Sequence, residues 1–275
     1  MYKMMVSDLD ETLLNDDGTI NAQNVTLIKR AIATGFKFVP NTGRSFKSVQ
    51  PLLKQLALDN CPAQYVISYN GAAIVENLNN QIINTRGLEF SLAQQILAAG
   101  LIDPTIDAHI YTVDELYIYN ISASDKAYMA ERGVTYTLLD KPDITFLQSE
   151  NIMKVIFETS DDDLRVGIKT AVCAQVGKQV EVTFSSQRYV EFNKIGTNKG
   201  QATTDLADKL GYNMDEVIAI GDNSNDISMI KTAGLGVAVA NAIPDVKTVA
   251  KHITQKTNNE GAVAEVLQEY VLSKQ

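Results

Sequence analysis

Two aspartates separated by a single residue, Asp8 and Asp10, stand where a short apolar run ends. Met4, Met5 and Val6 read as a buried strand, and Ser7-Asp8-Leu9-Asp10-Glu11-Thr12-Leu13-Leu14 turns away from it. Carboxylates at the exit of a buried strand are costly unless a cation meets them, and a divalent metal is the simplest candidate. Aspartates also accept backbone amide hydrogen bonds in turns, so the pair alone leaves both readings open.

A second acidic pair lies far along the chain, in Gly221-Asp222-Asn223-Ser224-Asn225-Asp226. Asp222 and Asp226 are four residues apart and face the same way if the segment is already helical. Capping of a helix N-terminus accounts well for one aspartate and poorly for two. Thr42-Gly43-Arg44 follows another apolar run and reads by itself as a turn and helix entry. Lys199 opens a later helix and, taken alone, is an ordinary solvated lysine. Arg44 and Asn225 are candidate contacts for a phosphate or a leaving group, with a salt bridge and a cap as their respective alternatives. Asn70 fits a turn. The two histidines, His109 and His252, carry no motif, and packing or solvation is the default for both. His109 is also a candidate for substrate contact.

The elements that must hold these residues follow from local pattern. Asn15-Asp16-Asp17-Gly18 is a turn signal beside the first acidic pair, fitting a small hairpin flap. Asn21 caps a helix with Val25, Ile28, Ala31 and Ile32 at helical spacing, closed by Gly35. A strand from Phe36 to Val39 leads to Thr42, and a helix from Ser45 to Leu58 is expected to kink or restart at Pro51. The strand Tyr65 to Tyr69 turns at Asn70-Gly71 and returns as Ala72 to Glu76. Alternating strands and helices signify a parallel sheet with crossover helices.

From about Thr85 the strands pair locally and antiparallel, which marks an inserted α+β domain over 85–187. The parallel pattern is expected to resume near Tyr189-Val190-Glu191-Phe192, so that 1–84 and 188–275 form one discontinuous core. Lys199 to Gly211 reads as a helix, Val217 to Ile220 as a strand, and Gly236 to Val239 as another. The predicted fold is α/β: a Rossmann-like doubly wound parallel-sheet core with an inserted α+β cap domain. In open parallel sheets, ligands sit outside the carboxyl ends of the strands, where the strand order switches. Residues scattered from Asp8 to Asp226 can therefore meet in one crevice.

The whole chain limits the function. At 275 residues it exceeds the usual single-domain size, and 45% hydrophobic residues supply ample core. A net charge of −9 argues against a nucleic-acid-binding surface, which needs a basic stripe. It leaves room for a small phosphate ligand, since one lysine and one metal reverse the sign locally. Cys61 and Cys173 are far apart and form no C-x-x-C, so two free buried thiols are expected rather than a disulfide framework or a zinc site. No apolar segment reaches membrane-spanning length, and the expectation is a cytoplasmic protein.

In order and spacing, these stretches resemble the haloacid dehalogenase superfamily of phosphatases, specifically its Cof-type branch. Asp8-Leu9-Asp10-Glu11-Thr12 resembles the first motif of that family, Thr42-Gly43-Arg44 the second, Lys199-Gly200 the third and Gly221 to Asp226 the fourth. Asn70-Gly71-Ala72, Ala240-Asn241-Ala242 and Asn258 to Val263 also look like branch features, so the resemblance covers essentially the whole chain. Two departures are Pro40-Asn41, where small apolar residues are commoner, and Ala240, where glycine is.

The resemblance implies a Mg²⁺-dependent phosphohydrolase working on small phosphorylated metabolites such as sugar phosphates, nucleotides or pyridoxal phosphate. Asp8 would be the nucleophile that becomes an aspartyl-phosphate, and Asp10 the acid and then the base. Thr42 and Lys199 would hold the non-bridging oxygens, helped by backbone amides near Leu9 and Gly43. Asp8, the carbonyl of Asp10 and Asp222 would hold Mg²⁺, with Asp226 behind a water. The inserted domain would act as a lid and choose the leaving group. A phosphomutase or phosphotransferase of the same superfamily and a non-catalytic phosphate-binding switch are the alternatives. Oligomeric state is not legible in the sequence.

Overall fold

In the computed structural model, which describes residues 1–273, the first unit comprises Met1–Asn84 together with the chain from Asn198 onward. The second unit is the insertion Thr85–Thr197. The last two residues of the expected core segment, 274 and 275, lie outside the described residues.

The elements of the first unit before the insertion are β1 (Met4–Ser7), α1 (Ala22–Ala33), β2 (Lys37–Pro40), α2 (Gln50–Gln55), β3 (Tyr65–Ser68), β4 (Ala73–Glu76) and β5 (Gln81–Thr85). The insertion contributes α3 (Phe90–Gly100), β6 (Asp107–Thr112), β7 (Leu116–Tyr119), α4 (Ala123–Glu131), β8 (Thr137–Leu139), β9 (Ile152–Glu158), α5 (Asp162–Val176), β10 (Val180–Ser185) and β11 (Tyr189–Lys194). The first unit then resumes with α6 (Lys199–Leu210), β12 (Val217–Gly221), α7 (Ile227–Thr232), β13 (Leu235–Ala238), α8 (Pro244–Val249), β14 (His252–Ile253) and α9 (Ala262–Leu267).

The five-stranded sheet of the first unit has the order β14-β13-β12-β1-β2 and is parallel throughout. Its central strands are buried on both faces, and MMVS and VIAIG have the continuous apolar character that such burial demands. The chain leaves β1 for β2 on one side and later returns to place β12 on the other. The order therefore switches at β1, directly above which Asp8 emerges. Ser7 pairs with Pro40 and with Ile220, so the ends of β2, β1 and β12 are level. A three-stranded sheet, β3-β4-β5, lies next to β2, linked by a bridge from Asn41 to Ile67.

Local chemistry sets the boundaries. Asn21 caps α1 by accepting from Gln23 N at 2.9 Å. Of the kink or restart expected at Pro51, the structure shows the start: α2 begins at Gln50 with Pro51 in its first turn, where a missing amide costs no helical bond, and the helix is shorter than the expected Ser45 to Leu58. The flap appears as a small hairpin, closed by a Leu14–Ile20 bridge.

The inserted unit is a six-stranded sheet in the order β10-β11-β9-β6-β7-β8, antiparallel except for the β7–β8 pair. Its apolar face, including Ala108, Ile110, Val155, Phe157, Val190 and Phe192, shares a core with Ile96 of α3 and Ile168 of α5. β11 belongs here, antiparallel to β9 and β10, and not to the parallel core. The return to the first unit therefore falls at Asn198 instead of residue 188. The physical reason is visible in β11 itself: Glu191 and Asn193 alternate with Val190 and Phe192, the pattern of a strand with two unlike faces.

Cys61 and Cys173 are unpaired, as expected, but half-buried instead of buried. Among the described residues, no helix is long and apolar enough to cross a membrane.

Candidate active site

Asp8 is the first residue past β1, Asp222 the first past β12, and Thr42 the second past β2. Backbone ladders continue just beyond the strands: Asp8 N donates to Ile220 O at 3.0 Å and Asn41 N to Ser7 O at 2.8 Å. The carboxylates of Asp8, Asp222 and Asp226 each offer an oxygen within 4.8 Å of the other two. All three residues are buried.

Lys199 enters this cluster from the start of α6. Its side chain is fully buried, and its Nζ donates to Asp8 Oδ1 and, at 2.6 Å, to Asp226 Oδ1. A lone ammonium in such a place costs several kcal/mol, and the positive end of α6 adds to that cost. Two carboxylates meet it instead. Burial alone would lower the Lys199 pKa, but Asp226 and Asp8 outweigh it and hold the ammonium firmly protonated. Asn198 starts α6 at this point by accepting from Gln201 N at 2.9 Å.

Three carboxylates against one ammonium leave two negative charges in excess in a buried space. The strain shows in the carboxyl groups. Burial pushes Asp8 well above the ordinary carboxylate range, and Asp226 and Asp222 push it further, although Lys199 pulls it down. Asp222 is raised to about 7, first by burial and then by Asp226. A divalent cation removes this imbalance, and three clustered oxygen donors are the chemistry that hard divalent ions take.

Asp226 combines both expectations drawn from its spacing. Its Oδ2 accepts from Asp222 N and Asn223 N, each at 3.0 Å, which is a capping role, while Oδ1 receives Lys199. Both of its oxygens are thus engaged within the cluster. Asp222 is oriented by Thr12, whose Oγ1 donates to Asp222 Oδ1 at 2.6 Å.

Asp10 stands apart from the carboxylate cluster. Its side chain is 55% exposed and is gripped by Arg44, through Nε at 3.0 Å and through Nη2. The salt-bridge alternative for Arg44 is therefore the one seen. Thr42 is buried, and its Oγ1 accepts from Arg44 N at 3.1 Å. Asn225 Nδ2 donates to Asn70 Oδ1 at 3.3 Å, and that same oxygen would lie 3.1 Å from a Cβ on Gly43. Asn70 thus ties the loop after β2 to the loop after β12, a role beyond that of a turn residue. Leu9 is fully buried, and its carbonyl accepts from Leu13 N and Leu14 N, closing the turn that carries Asp10.

Two supporting residues had no role in the sequence reading. Asn41, which looked like a departure, donates through Nδ2 to Lys199 O at 3.1 Å and to Thr203 Oγ1 at 3.2 Å, locking the start of α6 to the end of β2. Thr12 was legible only as part of a motif. A polar residue directly after a buried strand was the available signal for Asn41, since burial there demands a partner.

Over residues 5–267 the chain matches the protein family described as haloacid dehalogenase-like hydrolase. It is 31% identical to the 5-amino-6-(5-phospho-D-ribitylamino)uracil phosphatase YcsE of Bacillus subtilis, over 98% of this chain and 96% of that one. It is 25% identical to the HMP-PP phosphatase of Serratia proteamaculans, over 99% and 97% of the two chains. The crystal structure of a haloacid dehalogenase-like hydrolase from Bacteroides thetaiotaomicron superposes with a TM-score of 0.85 at 27% identity, covering 98% of this chain and 99% of that one. The chain belongs to the haloacid dehalogenase-like hydrolase family, in its Cof-type branch. It is an enzyme of the phosphatase class, acting on small phosphorylated substrates. Hydrolases of this family generally use a divalent metal, and the Asp8, Asp222 and Asp226 cluster could hold one.

Proposed function

We propose that the chain is a Mg²⁺-dependent phosphomonoester hydrolase that works through an aspartyl-phosphate on Asp8. The observation that carries this reading is the buried cluster at the carboxyl ends of β1 and β12, with its excess of two negative charges and a single buried ammonium.

Asp8 attacks phosphorus, the P–O bond to the leaving group breaks, and the alkoxide takes a proton from Asp10. Asp10 then removes a proton from the water that attacks the aspartyl-phosphate, which returns the Asp8 carboxylate and releases inorganic phosphate. For the first step Asp10 must come away from Arg44, which engages both of its oxygens. Substrate entry that draws the Arg44 guanidinium toward the phosphate provides that release. Lys199 and the Thr42 hydroxyl hold non-bridging oxygens, with backbone amides near Leu9 and Gly43, and Asn225 flanks them. Asp8, Asp222 and the carbonyl of Asp10 would hold Mg²⁺, with Asp226 acting through a water. When bound, the ion cancels the repulsion between the carboxylate and the phosphate.

The first unit serves as the catalytic core and the insertion, Thr85–Thr197, as the part that selects the leaving group. The substrate class is small phosphorylated metabolites. Phosphate release from a panel of sugar phosphates, nucleotides, pyridoxal phosphate, 5-amino-6-(5-phospho-D-ribitylamino)uracil and HMP-PP tests this, with and without Mg²⁺. Wild type should release phosphate only with the ion, and Asp8→Asn should lose about 10³-fold or more in kcat. Metal-independent turnover, or an Asp8→Asn enzyme of normal rate, would remove the mechanism. Transfer of the phosphoryl group to a second sugar, in place of free phosphate, would make it a phosphotransferase.

A further inference from the structure

The sheet of the inserted unit has a second face, opposite the one packed on α3 and α5, and this face carries buried charge. His109 of β6 lies on it, fully buried, with Asp107 two residues earlier on the same strand. Asp125, from the first turn of α4, is buried against them. One donor atom from each of Asp107, His109 and Asp125 lies within 4.8 Å of the other two.

The hydrogen bonding of the three side chains is divided in an instructive way. Asp107 Oδ2 accepts from Ser122 N at 2.7 Å, and Asp125 Oδ1 accepts from the Tyr189 hydroxyl at 2.5 Å. Their other oxygens, Asp107 Oδ1 and Asp125 Oδ2, have no hydrogen-bond partner, and neither ring nitrogen of His109 has one. His109 Nε2 is 3.0 Å from Asp125 Oδ2 without the alignment of a hydrogen bond. Each unpartnered buried polar atom costs on the order of 1–3 kcal/mol, and folded proteins rarely leave several together.

One ion would meet Asp107 Oδ1, Asp125 Oδ2 and one ring nitrogen of His109 together. Ligands bonded to one zinc ion at about 2.0–2.1 Å stand roughly 3 Å from each other, which is the Nε2–Oδ2 separation without hydrogen-bond alignment. In metal sites the second oxygen of each ligating carboxylate is held by an outer partner, as Ser122 N and the Tyr189 hydroxyl hold these. The surrounding charge agrees. Glu158 adds negative charge beside Asp107, and Arg188 bonds Glu158 at 2.7 Å and lies 4.0 Å from Asp125. An imidazolium–Asp125 pair would use Nε2 and leave Asp107 Oδ1 unmet, whereas an ion takes that oxygen as well.

We propose that Asp107, His109 and Asp125 form a cation site in the inserted unit for a divalent first-row transition ion of the Zn²⁺ type. An imidazole among the donors favours such an ion over Mg²⁺, which prefers oxygen and keeps its waters. None of these residues belongs to the Asp8 cluster. With all three residues buried, the ion enters as the unit folds or when α4 opens locally, so its binding contributes to the unit's stability.

The chain has only two histidines, so the test is direct. Full-length protein with ¹⁵N-labelled histidine is refolded with increasing Zn²⁺ under excess Mg²⁺, which occupies the other acidic cluster. One ring-nitrogen signal of His109 should shift and saturate at one Zn²⁺ per chain while those of His252 stay in place. His109→Gln should remove the shifted signal and that equivalent of zinc, and Asp125→Asn should weaken binding at least tenfold. Unchanged His109 signals under excess Zn²⁺, an imidazolium spectrum indifferent to the ion, or undiminished zinc binding by Asp125→Asn would each overturn the proposal. The wild-type titration decides even where a variant does not fold.

Discussion

At the scale of the residue, the site is a problem of buried charge, and Thr12 and Asp222 show how closely it is poised. Thr12 reaches Asp222 Oδ1 at 2.6 Å and so fixes the direction of the other oxygen. Thr12→Val keeps the shape and removes the donor. Outer partners of metal ligands are worth about 10–100-fold in affinity. The Mg²⁺ concentration for half-maximal phosphate release should therefore rise by that factor, with kcat at saturating Mg²⁺ nearly unchanged; a lowered kcat with unaltered metal dependence would contradict it. The charge also sets a pH dependence. Asp222 sits at about 7 in the metal-free fold, raised by burial and then by Asp226, against about 3.9 for an unfolded aspartate. Between those values the native chain holds a proton that the unfolded chain has lost, so metal-free stability falls as pH rises from about 4 through about 7. A bound divalent ion replaces that proton. The rise in Tm given by Mg²⁺ over EDTA should accordingly grow from pH 5 to pH 8, and a shift independent of pH would refute the assignment.

At the scale of the element, the position of Lys199 depends on how α6 is seated. Asn198 caps the helix, Asn41 grips its first carbonyl, and Gly71 packs against the cap. Gly71 has φ +99°, and a Cβ there would lie 2.4 Å from Asn198 O. Gly71→Ala must therefore strain its own backbone and displace the residue that starts α6. A loss of about 2–4 kcal/mol in urea unfolding is expected, together with a fall in kcat as Lys199 moves; normal activity at normal stability would show that α6 is not seated this way. Gly200 serves the same seam from the other side, since a Cβ there would be 2.6 Å from the Ser228 backbone.

At the scale of the whole molecule, the two units have separate cores and separate sheets, one parallel and one mostly antiparallel. The proposed division of labour places the phosphoryl chemistry in the first and substrate choice in the second. Replacing Thr85–Thr197 with the corresponding insertion of a relative should change which phosphate esters are hydrolysed, while Mg²⁺ dependence and the effect of Asp8→Asn persist. The check is a phosphate-release profile across the same panel for the parent and the chimaera. An unchanged profile would move specificity into the core.

Much of this was legible without coordinates. Asp8, Asp222 and Asp226 stand out by type and by their place after apolar strands, where charge cannot be buried singly, whereas Lys199 reads alone as an ordinary solvated lysine and gains a role only through the family resemblance. Continuous apolar runs mark β1 and β12 as buried strands, and Asn21 marks the start of α1. What the chain alone left open depended on pairings between distant segments. β11 was expected in the parallel core, and its antiparallel pairing with β9 and β10 places it in the other sheet. Arg44 could have met a phosphate or a carboxylate, and it meets Asp10. His109 had no motif because its companion Asp125 comes from a helix beyond β7, and only folding brings the two within 3.0 Å. Sequence determines which groups must find partners, since burial of charge is costly everywhere. Tertiary structure decides which partners they find, since contact across the chain depends on sheet order and register.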